Sequence, residues 1–168
     1  METEKYLQNA TIRPISASDN PFIGEIIKNN LKKFHLDIPG TAYFDPELDC
    51  LSEYYNASPG KRAYFIAVDG HDVIIGGVGV AEFTTFNNCA EIQKLYLTDV
   101  AQGKGMGKRL MQTAENFARK AGYRLLYLET HTNLEKAIRL YEKIGFYKID
   151  KPKSALHSAM NRFYVKEL

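Results

Sequence analysis

The sequence predicts an α/β fold, a sheet with helices packed on it, from three observations. β-Branched and aromatic residues fill Ala63 to Val68 and Val73 to Thr84 on either side of Asp69-Gly70-His71-Asp72, and a third run, Cys89 to Leu97, follows Phe86-Asn87-Asn88. Together these read as an antiparallel meander. Next, Met106, Leu110, Ala114, Phe117 and Ala121 recur at helical spacing. Finally, Arg124 to Thr130 reads as a strand buried on both faces.

In chain order, Ala10 to Pro14 is a short first strand. Asn20-Pro21 opens a helix as cap and first-turn proline, and Ile23, Ile26, Ile27, Leu31 and Phe34 give it one apolar stripe. His35 to Phe44 loses all periodicity. Asp45-Pro46 then starts a short helix carrying Leu48, Leu51, Tyr54 and Tyr55, which ends before Ser58-Pro59-Gly60. Within the meander, Gly76, Gly77 and Gly79 mark a bulge or a close approach of backbone. Gly122 ends the central helix, Asn133 caps a further helix ending at Gly145, and Phe146 to Asp150 and Ala159 to Lys166 are two closing strands.

At 168 residues the chain suits one domain, 1–168, with an ordered core from about residue 10 to 168. A net charge of +2 and the lack of a long Lys/Arg run argue against a nucleic-acid surface. The polar start Met1-Glu2-Thr3-Glu4-Lys5 is unlike a secretory signal, and Val73 to Ala81 is too short to span a bilayer. A soluble, cytoplasmic protein with no membrane partner is expected. Cys50 and Cys89 form no C-x-x-C pair and read as reduced thiols, with Cys89 packed in its strand; the four histidines are scattered, so no metal is expected.

The most informative stretch is Gln102-Gly103-Lys104-Gly105-Met106-Gly107-Lys108-Arg109, the join between the third meander strand and the central helix. Amides in the first turn of a helix lack intrahelical partners and sit at the positive end of the macrodipole, where anions bind. Glycines allow a concave nest of such amides, so the stretch reads as a pyrophosphate cradle. The Walker pattern fails at Gln102 and Arg109. The dinucleotide pattern G-x-G-x-x-G starts at Gly103 and Gly105 but meets Lys108, with only Glu129, about 20 residues on, in its favour. The pattern [QR]-x-x-G-x-[GA] matches Gln102 to Gly107 at every fixed position. It resembles the acetyl-CoA loop of the GNAT superfamily of N-acetyltransferases. Downstream, Asn133, Ala137 and Tyr141 share one helix face, and Asn133 to Phe146, with Leu140-Tyr141 and Gly145-Phe146, is similar to the second GNAT motif. The resemblance spans Val73 to Phe146.

That resemblance implies a mixed, mostly antiparallel central sheet with flanking helices, in which the strand ending at Leu97 and the strand Arg124 to Thr130 splay apart. Acetyl-CoA is the implied cosubstrate. Its pantetheine arm would pair with the backbone of Leu95, Tyr96 and Leu97, the loop Gln102, Gly103, Lys104, Gly105, Met106, Gly107 and Lys108 would hold its pyrophosphate, and Asn133 would contact the arm from the other side. Transfer to a primary amine needs a base, because an alkylammonium has a pKa near 10.4. Glu91, on the strand entering the site, is the first candidate, with Glu129 and Glu82 as alternatives; a solvated carboxylate explains each equally well. A backbone NH near Leu95 or Tyr96 suits the oxyanion. Tyr141 occupies the family's general-acid position for the thiolate, whose conjugate acid has a pKa near 8.5, although it also belongs to a packing stripe with Ala137, Leu140 and Ile144. His157, in the closing loop, is either a surface histidine or within reach of the acceptor.

The acceptor implied by the resemblance is a small-molecule or peptide amine. Asp37, Asp45, Asp49, Tyr43 and Phe44 would suit a cation, but ordinary solvated acids and core aromatics account for them too. Phe163-Tyr164-Val165 offers either pairing across a homodimer or completion of the sheet within one chain. Two other readings stay open: a dinucleotide-binding oxidoreductase, and a non-catalytic CoA-binding sensor or interaction module.

Overall fold

The computed structural model describes residues 6–168. One seven-stranded sheet runs in the order β1-β2-β3-β4-β5-β7-β6, built from β1 (Thr11–Pro14), β2 (Ala63–Val68), β3 (Ile74–Glu82), β4 (Cys89–Leu97), β5 (Leu125–Thr130), β6 (Tyr147–Ile149) and β7 (Arg162–Glu167). Every pairing is antiparallel except β4 with β5. The helices α1 (Asn20–Lys33), α2 (Leu51–Asn56), α3 (Met106–Lys120) and α4 (Glu135–Lys143) flank it. This is the mixed, mostly antiparallel sheet expected.

Alternation along the strands sorts the core into two layers. Ala90, Ile92, Leu126 and Leu128 turn toward Leu110, Ala114 and Ala118 of α3 and Tyr141 of α4. On the opposite face Tyr64, Ile66 and Ala81 pack against Ile23, Ile27 and Leu31 of α1 and Tyr55 of α2. Gly79 is small because a Cβ there would collide with the Tyr55 phenol, so the close approach expected of the β3 glycines is real.

Several local expectations change. Asn20 does not cap α1: Asp19 takes that place, held by Arg13 at 2.7 and 2.9 Å and by the Ser16 amide at 2.7 Å. The Asn20 amide instead reaches Ser52, donating to its hydroxyl and accepting from its backbone NH, both at 2.9 Å, which ties α1 to α2. Asp45-Pro46 starts a 3-10 turn, Pro46–Asp49, and α2 begins only at Leu51. Asn133 is likewise not a cap; Leu134 holds that position, and the Asn133 side chain donates to Phe34 O at 3.0 Å.

The closing strands decide between the two alternatives left open for Phe163-Tyr164-Val165. β7 inserts between β5 and β6, so Phe163, Tyr164 and Val165 are paired on both sides. They finish the sheet within one chain, which leaves this strand no free edge to pair across a homodimer. Among the described residues no helix is long and apolar enough to cross a membrane.

Candidate active site

β4 and β5 pair only at Cys89–Leu125, Ala90–Leu126 and Glu91–Tyr127, and then separate. The cause lies in β4. Gly77 faces Tyr96 and Gly79 faces Gln93, so Lys94 and Leu95 together oppose Val78 alone, a β-bulge with Lys94 at φ +49. Tyr64 donates to the Lys94 carbonyl at 2.8 Å and fixes the bulge from the α1 face. A groove of about 1340 Å³ opens where the strands diverge.

Leu95, Tyr96, Leu97, Gln102, Gly103, Gly105, Gly107 and Lys108 line one wall of the groove, with Asn133 and Tyr141 on the other. Lys104 is an exposed residue of the same loop, and the Met106 side chain turns into the core. Gly103 and Gly105 have φ of +72 and +81, and a Cβ on either would enter open space. What glycine contributes there is the left-handed turn rather than room. The first bond of α3 runs from the Arg109 amide to Gly105 O at 3.1 Å, which leaves the amides of Met106, Gly107 and Lys108 without an acceptor inside the helix. Such a nest fits a pyrophosphate. The Gln102 side chain points inward and donates to Leu97 O at 3.3 Å, beside Asn30, which donates to the same carbonyl at 3.0 Å. Gln102 therefore braces the loop against the end of β4.

Burial pushes the Tyr141 phenol above its ordinary pKa. Burial, and then the neighbouring Tyr141, does the same to Tyr96. Both hydroxyls stay protonated through the neutral range and are available as donors.

Glu91, Gln93, Tyr127 and Glu129 fall on the sheet face opposite α3, by alternation with Ala90, Ile92, Leu126 and Leu128. Glu91 is only 3% exposed, and burial raises its carboxyl to about 7, with the charge of Glu129 adding to the rise and a hydrogen bond from Gln93 at 2.7 Å opposing it. Gln93 in turn accepts from the Tyr55 hydroxyl at 2.7 Å. Glu129 lines the groove, whereas Glu91 lies behind its surface. Glu82 is spent on Arg62 at 2.6 and 2.7 Å, and that hydrogen bond lowers its pKa. It is withdrawn as a base.

Beside Glu129 lies a cluster assembled from four distant segments. His157 donates from Nδ1 and from its backbone NH to Glu129 Oε1 at 2.8 and 2.9 Å, and from Nε2 to Asp45 Oδ1 at 2.9 Å. Lys94 Nζ pairs with Asp45 at 2.7 Å and Glu47 at 3.2 Å. Burial opposes the charge of His157, but its hydrogen bonds to the two carboxylates outweigh it and raise the imidazole to about 9. Asp45 is thus committed to the cluster, whereas Asp49, 84% exposed, makes only a surface pair with Lys28 at 3.1 Å. Burial also pushes the Cys89 thiol up to about 12, which leaves it inert as a nucleophile.

A splayed β4–β5 pair with a glycine nest at one mouth and buried carboxylates behind it defines an acyl-CoA acyltransferase fold. The profile of the acetyltransferase (GNAT) family matches residues 31–146, and the chain belongs to that family. The uncharacterized N-acetyltransferase YjgM of Escherichia coli (strain K12) is 34% identical over 145 residues, 85% of each chain. Among solved structures, an acetyltransferase of GNAT family from Staphylococcus aureus Mu50 superposes with a TM-score of 0.84 at 21% identity, covering 94% of this chain and 98% of that one. Spermidine N-acetyltransferase from Vibrio cholerae, in complex with CoA and spermine, superposes with a TM-score of 0.68 at 21% identity, covering 95% and 96%. The protein is an acetyl-CoA-dependent acyltransferase.

Proposed function

We propose that this enzyme transfers the acetyl group of acetyl-CoA to a primary amine of a small molecule or peptide by direct attack within a ternary complex. The observation that carries the reading is the two-sided gap between β4 and β5, with the glycine nest on the α3 side and Glu91 and Glu129 on the α1 side. Bound acetyl-CoA supplies an activated thioester. The amides at the start of α3 hold its pyrophosphate, and the backbone of Leu95 and Tyr96 lies along its arm.

On the other side Glu129 receives the ammonium at the groove surface. Glu91, held near 7, accepts the ammonium proton through an intervening water, a pKa suited to a base at neutral pH. An amide at the Leu95 bulge donates to the developing oxyanion, and the Tyr141 hydroxyl donates to the departing sulfur. Asn133, on the groove wall, borders the arm.

Calorimetric titration with acetyl-CoA, with NAD as control, followed by thiol release across a panel of polyamines, aminoglycosides, amino acids and peptides, tests the reading. Polyamines head the panel because the V. cholerae relative holds spermine. Acetyl-CoA binding with thiol release for one amine class is the expected result. NAD binding without acetyl-CoA binding would favour an oxidoreductase, and binding without turnover a sensor.

A further inference from the structure

Three segments meet at one end of the groove, where Phe34 from the stretch between α1 and α2, Glu129 and Thr130 from the end of β5, and Met160 from the loop 150–161 line it. Two contacts join the first to the third. His157 Nε2 meets Asp45 Oδ1 at 2.9 Å, and the Ala159 amide donates to Gly40 O at 3.0 Å. A single oxygen of Glu129 receives both the ring and the backbone NH of His157, and the other accepts from the Tyr127 hydroxyl at 3.1 Å. Glu129 is thereby held by three donors while it lines the groove.

We infer that His157 is a positioning residue for the acceptor amine: from the β6–β7 loop it bridges Asp45 and Glu129, fixing the cleft-lining carboxylate and the wall around it. The inference rests on the acetyl-transfer reading given above. His157 does not touch the reacting atoms; it acts through Glu129. An imidazole can occupy this place only with a proton on each nitrogen if both carboxylates are to be satisfied, and its raised pKa keeps it so at neutral pH. The charged groups around it are Asp45 and Glu47 from the turn before α2, Lys94 and Glu91 from β4, and Glu129 from β5. Lys94 is the second cation, and it balances Asp45 from the bulge itself.

The test uses the full chain and the amine that releases most thiol. His157→Gln and Glu129→Gln should each lower kcat/KM for that amine at least tenfold while the Kd for acetyl-CoA stays within twofold, and the double variant should be no worse than the worse single one. An unchanged kcat/KM in His157→Gln, a double variant equal to the product of the singles, or a parallel loss of acetyl-CoA affinity would each overturn the inference. A second measurement needs no activity. In the wild type the His157 ring resonances should titrate near pH 9 and move to lower pH in both Glu129→Gln and Asp45→Asn. Titration near 6.5 in the wild type would remove the bridge. A wild type that acetylates no amine would defeat the acetyl-transfer reading instead, with the ring titration still deciding the bridge.

Discussion

The two halves of the cleft are built by different means. The half facing α3 is made mainly of backbone, with left-handed glycines at 103 and 105, helix-start amides and a bulged strand edge all within residues 94–108, and Tyr141 added from α4. The half facing α1 is made of side chains, Asp45, Glu91, Lys94, Glu129 and His157, gathered from separate segments by the order of the sheet. A site made of backbone can serve one invariant cosubstrate and leaves a compact trace in the sequence. A site made of converging side chains can be changed one residue at a time, and it has no local signature.

This contrast predicts separable losses. The largest effect is expected for Glu91→Gln, which should reduce kcat by about a thousandfold, within the range of general-base contributions, with acetyl-CoA affinity intact. In the wild type, kcat/KM for the amine should rise with pH up to about 7 as Glu91 ionises, and that limb should vanish in the variant. Stability should respond in the opposite sense. A carboxyl whose pKa is raised on folding costs stability once pH exceeds its unfolded value, near 4.3, and the cost becomes constant above about 7. Glu91→Gln should therefore raise Tm at pH 8 and leave it nearly unchanged at pH 4, as followed by thermal unfolding.

Tyr141→Phe should lower kcat by about a hundredfold with little change in the Kd for acetyl-CoA, separating chemistry from binding on the shared wall. An unchanged rate would return Tyr141 to a packing role. Gly105→Val should weaken acetyl-CoA by about 10- to 100-fold, because a β-branched residue at φ +81 carries about 1–3 kcal/mol of strain and the nest distorts to relieve it. The smallest effect on function is expected for Gly79→Ala. It should cost about 1–3 kcal/mol of stability by crowding Tyr55, measured by denaturant unfolding, and should displace Gln93 and so perturb the pH profile more than acetyl-CoA binding.

How legible each part was in the sequence follows the same divide. Ala63–Val68 and Cys89–Leu97 have the bounds that their composition predicts, because a strand buried among neighbours needs a continuous β-forming run. The glycine loop announced itself by spacing. The cap positions were off by one residue because Asn20 and Asn133 are used for tertiary hydrogen bonds, to Ser52 and Phe34, rather than for their own helices. The place of β7 between β5 and β6 was not legible, since pairing order depends on packing across the whole sheet. Glu82 and Glu91 look alike in sequence, and only the Arg62 partner of one and the burial of the other distinguish them. His157 was visible as a residue near the end of the chain, but its partners at 45 and 129 were not.

The most direct test of the divided cleft is a pair of measurements on Gly105→Val and Glu91→Gln, each examined by calorimetric titration with acetyl-CoA and by thiol release with the preferred amine. The account predicts that Gly105→Val loses affinity for acetyl-CoA and that Glu91→Gln keeps wild-type affinity while thiol release collapses. Parallel loss of affinity in both variants, or full thiol release from Glu91→Gln, would contradict it.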